Sequence, residues 1–357
     1  MLLSFYIVPL VKIWMSCLKM CNITMYFCCT ATGPTPTMLE AASLSCAVMS
    51  GNDMDRVVRE ELGLPDLTNL GAAGGGCINQ GVAYKTGDGR KIYVKTNSGS
   101  EARLMFDGEL ASLQAIHDTG VIRVPKPIKV MDNPSGGAML AMEYLDIKNL
   151  SHKAGELGEC LARLHLSNSE AEKKSEKMEG YVGGHCQYVS EFGFDVTTCC
   201  GYLPQENTWD KSWVSFYANK LDFQLKKIEK EYNDKQAREL WSKLQLKLSD
   251  FFEGITIQPA LMHGDLWGGN AGELDICPVV FDPASFYGHS EYDLAIAQMF
   301  GGFSDRFFQS YFKLLPKQPG YSDRLDLYKL FHYLNHWNHF GTGYRGSSIS
   351  IMKKLVK

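Results

Sequence analysis

One string limits the folds open to this chain more than any other: Leu261-Met262-His263-Gly264-Asp265-Leu266-Trp267-Gly268-Gly269-Asn270. Asp282 follows twelve residues after Asn270, behind the apolar run Val279-Val280-Phe281. Taken singly, Gly-Asp and Asp-Pro are ordinary turn formers. In this order and spacing they bring a carboxylate, an amide and a second carboxylate together, which is the set that phosphoryl transfer asks of a protein. Mg²⁺ keeps several waters and takes one or two protein oxygens besides the phosphates, so Asn270 and Asp282 are a sufficient pair of metal ligands. Asp265 is then left to orient a hydroxyl and accept its proton. The chain reads first as a small-molecule kinase.

Two upstream stretches extend that reading. Gly74-Gly75-Gly76-Cys77-Ile78-Asn79-Gln80-Gly81 precedes the alternating run Lys91-Ile92-Tyr93-Val94-Lys95-Thr96. Glycines let backbone N–H groups approach phosphate oxygens, which makes Gly75, Gly76 and Cys77 the candidate phosphate loop and Lys95 the candidate phosphate lysine. Asn79 stands where a third glycine belongs in G-x-G-x-x-G, so a Gly-rich hairpin without a ligand stays open on the loop alone. From Arg103 to His117 the spacing of Phe106, Leu110, Leu113 and Ile116 predicts a helix, and Glu109 on it is placed to pair with Lys95. Asp107 and Glu101 are competing partners. Ala138 to Leu145 reads as a buried strand running into the hinge of a two-lobed kinase, where backbone groups of Glu143, Tyr144 and Leu145 would meet adenine.

Several segments outside this machinery carry a resemblance. They are Met105-Phe106-Asp107-Gly108-Glu109, Phe192-Gly193-Phe194-Asp195, Thr198-Cys199-Cys200-Gly201-Tyr202-Leu203-Pro204-Gln205, Asp282 to Glu291 and Tyr333 to Gly341. With the His263 to Asn270 string, they resemble the fructosamine 3-kinase family over about Met54 to Lys357. Trp267-Gly268-Gly269-Asn270 and Tyr344-Arg345-Gly346-Ser347-Ser348 are most similar to its ketosamine 3-kinase branch. The resemblance implies an α+β, protein-kinase-like, two-lobed fold of the aminoglycoside phosphotransferase group. It also implies phosphorylation, with ATP and Mg²⁺, of the 3-hydroxyl of ribulosamine and psicosamine adducts on glycated proteins. The phosphorylated adduct then decomposes and frees the amine, a protein-deglycation role. On that footing Asp265 carries the base role, Asn270 and Asp282 the metal roles, and Lys95 with Glu109 the nucleotide clamp, while Trp267 and His339 are candidate walls of the sugar site.

Composition sets the remaining bounds. At 357 residues the chain can bury a large core, and 45% hydrophobic with 21% charged residues is ordinary for a globular protein. A net charge of −4 supplies no nucleic-acid footprint. The expected organisation is an atypical extension over 1–53, an N-lobe over 54–144 and a C-lobe over 145–357. Lys12, Lys19 and Asn22 interrupt every window of the extension that could span a membrane. Met54-Asp55-Arg56-Val57-Val58 resembles the family's own N-terminus, so translation is expected to start near Met49 or Met54. Of eleven cysteines, five fall in the extension and the other six lack metal-ligand spacing, which points to a reducing compartment, the cytosol. Cys77 is either an inert loop cysteine or a thiol whose oxidation blocks the nucleotide site or links two subunits. His332, His336 and His339 share a helix face with aromatics and read as a packed helix or substrate wall, not a zinc site. The charged run 169–177 is expected to be a mobile insertion after a helix ending near Ser167. Two other functions stay open: a kinase of a different small-molecule hydroxyl, and an ATP-binding protein of weak or no activity.

Overall fold

The structure is a computed structural model that describes residues 51–75, 79–178 and 188–357. The chain divides into two units, Met1–Asp53 and Met54–Lys357. Of the first, only the opening residues of helix α1 (Gly51–Leu62) are described.

In the second unit the remainder of α1 leads into an antiparallel sheet. Strands β1 (Leu67–Gly75), β2 (Gln80–Thr86) and β3 (Lys91–Asn97) run on to helix α2 (Ala102–Thr119), then β4 (Pro127–Asp132) and β5 (Ala138–Glu143), in the spatial order β1-β2-β3-β5-β4. Successive side chains of a strand point to opposite faces, and β5 uses both. Met139 and Ala141 join Val58, Tyr84, Ile92 and Val94 in one cluster, while Ala138, Leu140 and Met142 join Phe106, Leu113 and Ile116 of α2 in the other. A sheet buried on both faces explains why the run Ala138 to Met142 is continuously apolar. It also puts β3, the strand of Lys95, in the centre, paired on both sides.

Beyond β6 (Lys148–Asn149) the unit is mainly helical: α3 (Ala154–Met178), β7 (Cys199–Cys200), β8 (Leu203–Pro204), α4 (Trp213–Tyr232) and α5 (Lys235–Leu246). Strands β9 (Ala260–Leu261), β10 (Ala271–Glu273), β11 (Pro278–Val280) and β12 (Tyr287–Gly288) come next. They are followed by α6 (Glu291–Met299), α7 (Asp305–Leu314), α8 (Tyr321–Phe340) and α9 (Arg345–Leu355). Asn233 in a left-handed conformation ends α4, and the Asp234 side chain accepts from Ala237 N–H to start α5, so the amphipathic stretch 222–248 falls into two helices. The expected mobile insertion at 169–177 is instead the last turns of α3. Glu and Lys are strong helix formers, and Glu170 with Lys174 has the favourable i, i+4 order, so a solvated charged run extends the helix.

The short strands frame the site. β9 pairs with β12 through Leu261 opposite Tyr287, and β10 pairs with β11 through Ala271 opposite Val280. The loop between β9 and β10, with Asp265 and Asn270, is therefore tied at both ends to the loop between β11 and β12, with Asp282. Among the described residues no helix is long and apolar enough to cross a membrane.

Candidate active site

Lys95 is buried at the centre of the sheet, where an isolated ammonium would be costly. Its Nζ donates to Glu109 at 2.8 Å and 2.9 Å and to Asp282 Oδ1 at 2.9 Å. Neither competing partner takes it: Asp107 pairs with Arg103. Burial pulls the lysine toward neutrality, but the Asp282 and Glu109 carboxylates outweigh it and hold Lys95 protonated. Glu109 is pushed up to about 7 by its burial, against the pull of the lysine. Next to it, Gly108 lets α2 pack against the segment leading into β7, since a Cβ there would lie 2.5 Å from Thr197 O.

The loop around Asp265 is built on backbone bonds to buried groups. Asp293, on the first turn of α6, accepts from His263 N–H at 2.7 Å and Gly264 N–H at 2.8 Å, and its Oδ2 meets His165 Nε2 at 3.2 Å. His263 accepts from Asp265 N–H at Nδ1, 3.3 Å, which leaves its Nε2–H to donate to Phe281 O at 3.0 Å. Gly264 has φ +85, and a Cβ would lie 2.0 Å from Ala284 O, so no other residue fits that turn. Ala284 N–H to His263 O at 2.8 Å and Phe281 N–H to Asn270 O at 3.0 Å close the two loops onto each other. Asp282, two residues past the end of β11, sits at φ +56, a region that Asp tolerates better than most residues.

These contacts aim the polar ends at one another. Asn270 Nδ2 donates to Asp265 O at 2.9 Å and to Asp265 Oδ2 at 3.3 Å, while Asn270 Oδ1 accepts no hydrogen bond among the described residues. Burial, with the neighbouring Asp282 charge, pushes Asp265 up to about 7. A carboxylate so placed can take a proton near neutral pH. The amide and carboxylate oxygens of Asn270 and Asp282 are hard donors suited to Mg²⁺. Among the described residues there is no cluster of three or more His, Cys, Asp or Glu able to hold a metal.

The remaining expected residues are placed as follows. Glu143 N–H donates to Lys126 O and Tyr144 N–H to Lys91 O, whereas Leu145 N–H makes no hydrogen bond among the described residues. The Glu143 carboxylate holds Arg123 at 2.5 Å. Gly75 ends β1, and Gly76 and Cys77 lie outside the described residues. Trp267 is 41% exposed, its ring over Gly269, where a Cβ would meet it at 2.2 Å. His339 has both nitrogens engaged: Nδ1 bonds Asn335 O at 2.7 Å and Nε2 accepts from Tyr202 N–H at 3.2 Å. It therefore anchors the β7–β8 hairpin and offers a wall by its ring, not a free nitrogen. His332 is buried and held neutral, pushed down to about 3 by burial, and His336 donates from Nδ1 to His332 O.

Reasoning from sequence missed Asp293, Cys200 and Asn335. Asp293 could have been found, since loop amides next to a buried Gly turn need an acceptor, and Asp293 lies in the first turn of the next helix. Cys200 Sγ donates to Asp265 Oδ1 at 3.8 Å and accepts from Asn335 Nδ2 at 3.2 Å. No spacing rule connects those three positions.

The comparisons with known proteins agree with one another. The family model for fructosamine kinase matches residues 51–357. The Ketosamine-3-kinase of Mus musculus is 56% identical over 310 residues, 85% of this chain and 100% of that protein. The chloroplastic Protein-ribulosamine 3-kinase of Arabidopsis thaliana is 39% identical over 316 residues, 88% of this chain and 90% of that protein. A solved structure from Thermobifida fusca, provisionally named a fructosamine-3-kinase, superposes with a TM-score of 0.67 at 25% identity, covering 86% of this chain and 99% of that one. Aminoglycoside phosphotransferase structures share the fold at 14% identity with TM-scores of 0.51 and 0.52, a likeness that speaks to the fold alone.

Proposed function

This chain belongs to the fructosamine kinase family, and from that membership we propose that it transfers the γ-phosphoryl group of ATP to the 3-hydroxyl of ketosamines, the ribulosamine and psicosamine adducts of protein amines. The names of the mouse and Arabidopsis relatives support the acceptor class, and the family makes it a phosphotransferase acting on a hydroxyl. The observation that carries the reading is the meeting of Lys95, Glu109 and Asp282 at 2.8–2.9 Å, beside an Asp265 fixed by Asn270.

The residues divide the work. Asp265 orients the 3-hydroxyl and takes its proton as that oxygen bonds to the γ-phosphorus and the bond to the β-phosphate oxygen breaks, leaving ADP. Lys95, steadied by Glu109, neutralises the nucleotide phosphates, and Leu145 N–H, which makes no hydrogen bond among the described residues, is the hinge donor for adenine. Asn270 Oδ1 and the Asp282 carboxylate fit Mg²⁺: both are hard oxygens, the first has no competing hydrogen bond among the described residues, and the side chain of the second is 43% exposed. Bound there, the metal supplies charge neutralisation for the transferring phosphoryl group. Trp267 offers an exposed ring for the sugar. Free thiols at Cys160, Cys199, Cys200 and Cys277 suit a reducing compartment, and we place the protein in the cytosol, to be checked by cell fractionation.

The test offers the full chain Mg-ATP with ribuloselysine, psicoselysine and fructoselysine side by side and locates the new phosphate by ³¹P–¹H NMR. Transfer to the 3-hydroxyl of the first two is the expected result. ATP binding without transfer to any of the three would replace this reading with that of a kinase-like binding protein.

A further inference from the structure

Behind the carboxylate of Asp265 lies a row of side chains that the transfer reaction does not itself require. Asn338 Nδ2 donates to Gln224 Oε1 at 2.6 Å, Gln224 Nε2 donates to Asn335 Oδ1 at 3.1 Å, and Asn335 Nδ2 donates to Cys200 Sγ at 3.2 Å. The Cys200 thiol then donates to Asp265 Oδ1 at 3.8 Å. Cys200, Gln224 and Asn335 are all buried. Every bond runs the same way, each side chain turning its donor group toward Asp265. From this we propose that Asn338, Gln224, Asn335 and Cys200 form an oriented hydrogen-bond chain that fixes the catalytic carboxylate, with Cys200 as its positioning residue.

Three observations carry the inference. First, the amide orientations support one another: turning Asn335 over would set its oxygen against the thiol sulfur and its NH₂ against the Gln224 NH₂, losing two bonds at once. Second, the thiol must be the donor, because burial and the adjacent Asp265 charge hold Cys200 protonated. Third, the chain has a rigid origin. Asn335 and Asn338 lie on α8, and His339 of that helix also holds the β7–β8 hairpin by Tyr202 N–H, so the hairpin is held to α8 at two points, Cys200 and the turn that follows it. A row of dipoles pointing its positive ends at a carboxylate stabilises the ionised form and restricts its rotation. Asn270 fixes the other oxygen, so the two donors together define the plane of the carboxylate.

The inference rests on Asp265 being the group that orients the hydroxyl, and a double-mutant cycle separates the two claims. Turnover of ribuloselysine is measured for Cys200→Ala, Cys200→Ser and Gln224→Met, each alone and combined with Asp265→Asn, both in steady state and in single turnovers with enzyme in excess. Cys200→Ala is expected to lower kcat by about 10-fold with KM for both substrates within about 2-fold, the loss of one hydrogen bond to a charged group. Cys200→Ser, which keeps a donor, should recover to within about 3-fold of the parent. Gln224→Met, which breaks the chain two links away and touches nothing at the site, should cost about 3-fold and carries the test if Cys200→Ala does not fold. All of these losses should vanish in the Asp265→Asn background. Equal losses with and without Asp265, or unchanged kcat on breaking the chain, would overturn the proposal. No loss from Asp265→Asn alone would instead overturn the role given to Asp265.

Discussion

Residue by residue, the site sets burial against charge. Asp265 is held near 7 because its burial and the Asp282 charge disfavour the anion. In the unfolded chain the same carboxyl titrates in the usual range near 4. A raised folded-state value means that protons bind the native form more tightly, so the stability this group contributes is fully present at low pH and is lost as pH rises through about 7. Asp265→Asn removes that penalty. The variant should melt close to the parent near pH 4 and progressively above it up to about pH 7, as read by calorimetry across that range. The clamp gives a second expectation: Glu109→Gln removes one of two charges steadying Lys95 and should raise KM for ATP about 10-fold in initial-rate assays, with the KM for ketosamine little changed. That Asp265, Asn270, Asp282 and Lys95 come together was legible in the sequence, because the Mg²⁺ and phosphate chemistry proposed for them restricts which residue types can serve. Choosing Glu109 over Asp107 needed the fold, since both sit on the same predicted helix and only the approach of α2 to β3 decides between them.

At the scale of elements, α6 and α8 hold the helical part together through a buried ion pair. Arg324 Nε and Nη2 meet the Glu291 carboxylate at 2.7 Å and 2.8 Å, and its Nη1 donates to Phe251 O at 3.2 Å and to Pro319 O at 2.6 Å. Glu291 opens the helix whose Asp293 supports the His263–Gly264 turn, so this pair bears on the site from outside it. Arg324→Met leaves Glu291 buried without its partner and should cost about 3–5 kcal/mol in denaturant unfolding. A cost below about 1 kcal/mol would mean that the pair is dispensable. Long periodic elements such as α2 and the two halves of 222–248 could be read from the sequence, because their apolar spacing is dense. The end of α3 could not. Its charged run carries no apolar stripe, and polarity alone does not separate a solvated helix from a loop.

For the whole molecule, the sheet holds the lysine, the two tied loops hold the carboxylates and amide, and the helices behind them hold the loops. The family segments outside the kinase machinery now have places: Thr198 to Gln205 forms the hairpin against Asp265, and Tyr333 to Gly341 is the end of α8 that anchors it. Their link was invisible in the sequence because α4 and the β9–β12 loops separate them along the chain. Fixing the transferred group's surroundings is most of what such an enzyme can contribute, since phosphoryl transfer is chiefly positioning and charge stabilisation. The most direct measurement is therefore turnover of ribuloselysine by Asp265→Asn, with ATP affinity measured on the same preparation. A kcat at least about 10³-fold below the parent with ATP binding retained is expected. Near-parental turnover would contradict the assignment of Asp265 and, with it, the proposed geometry of transfer.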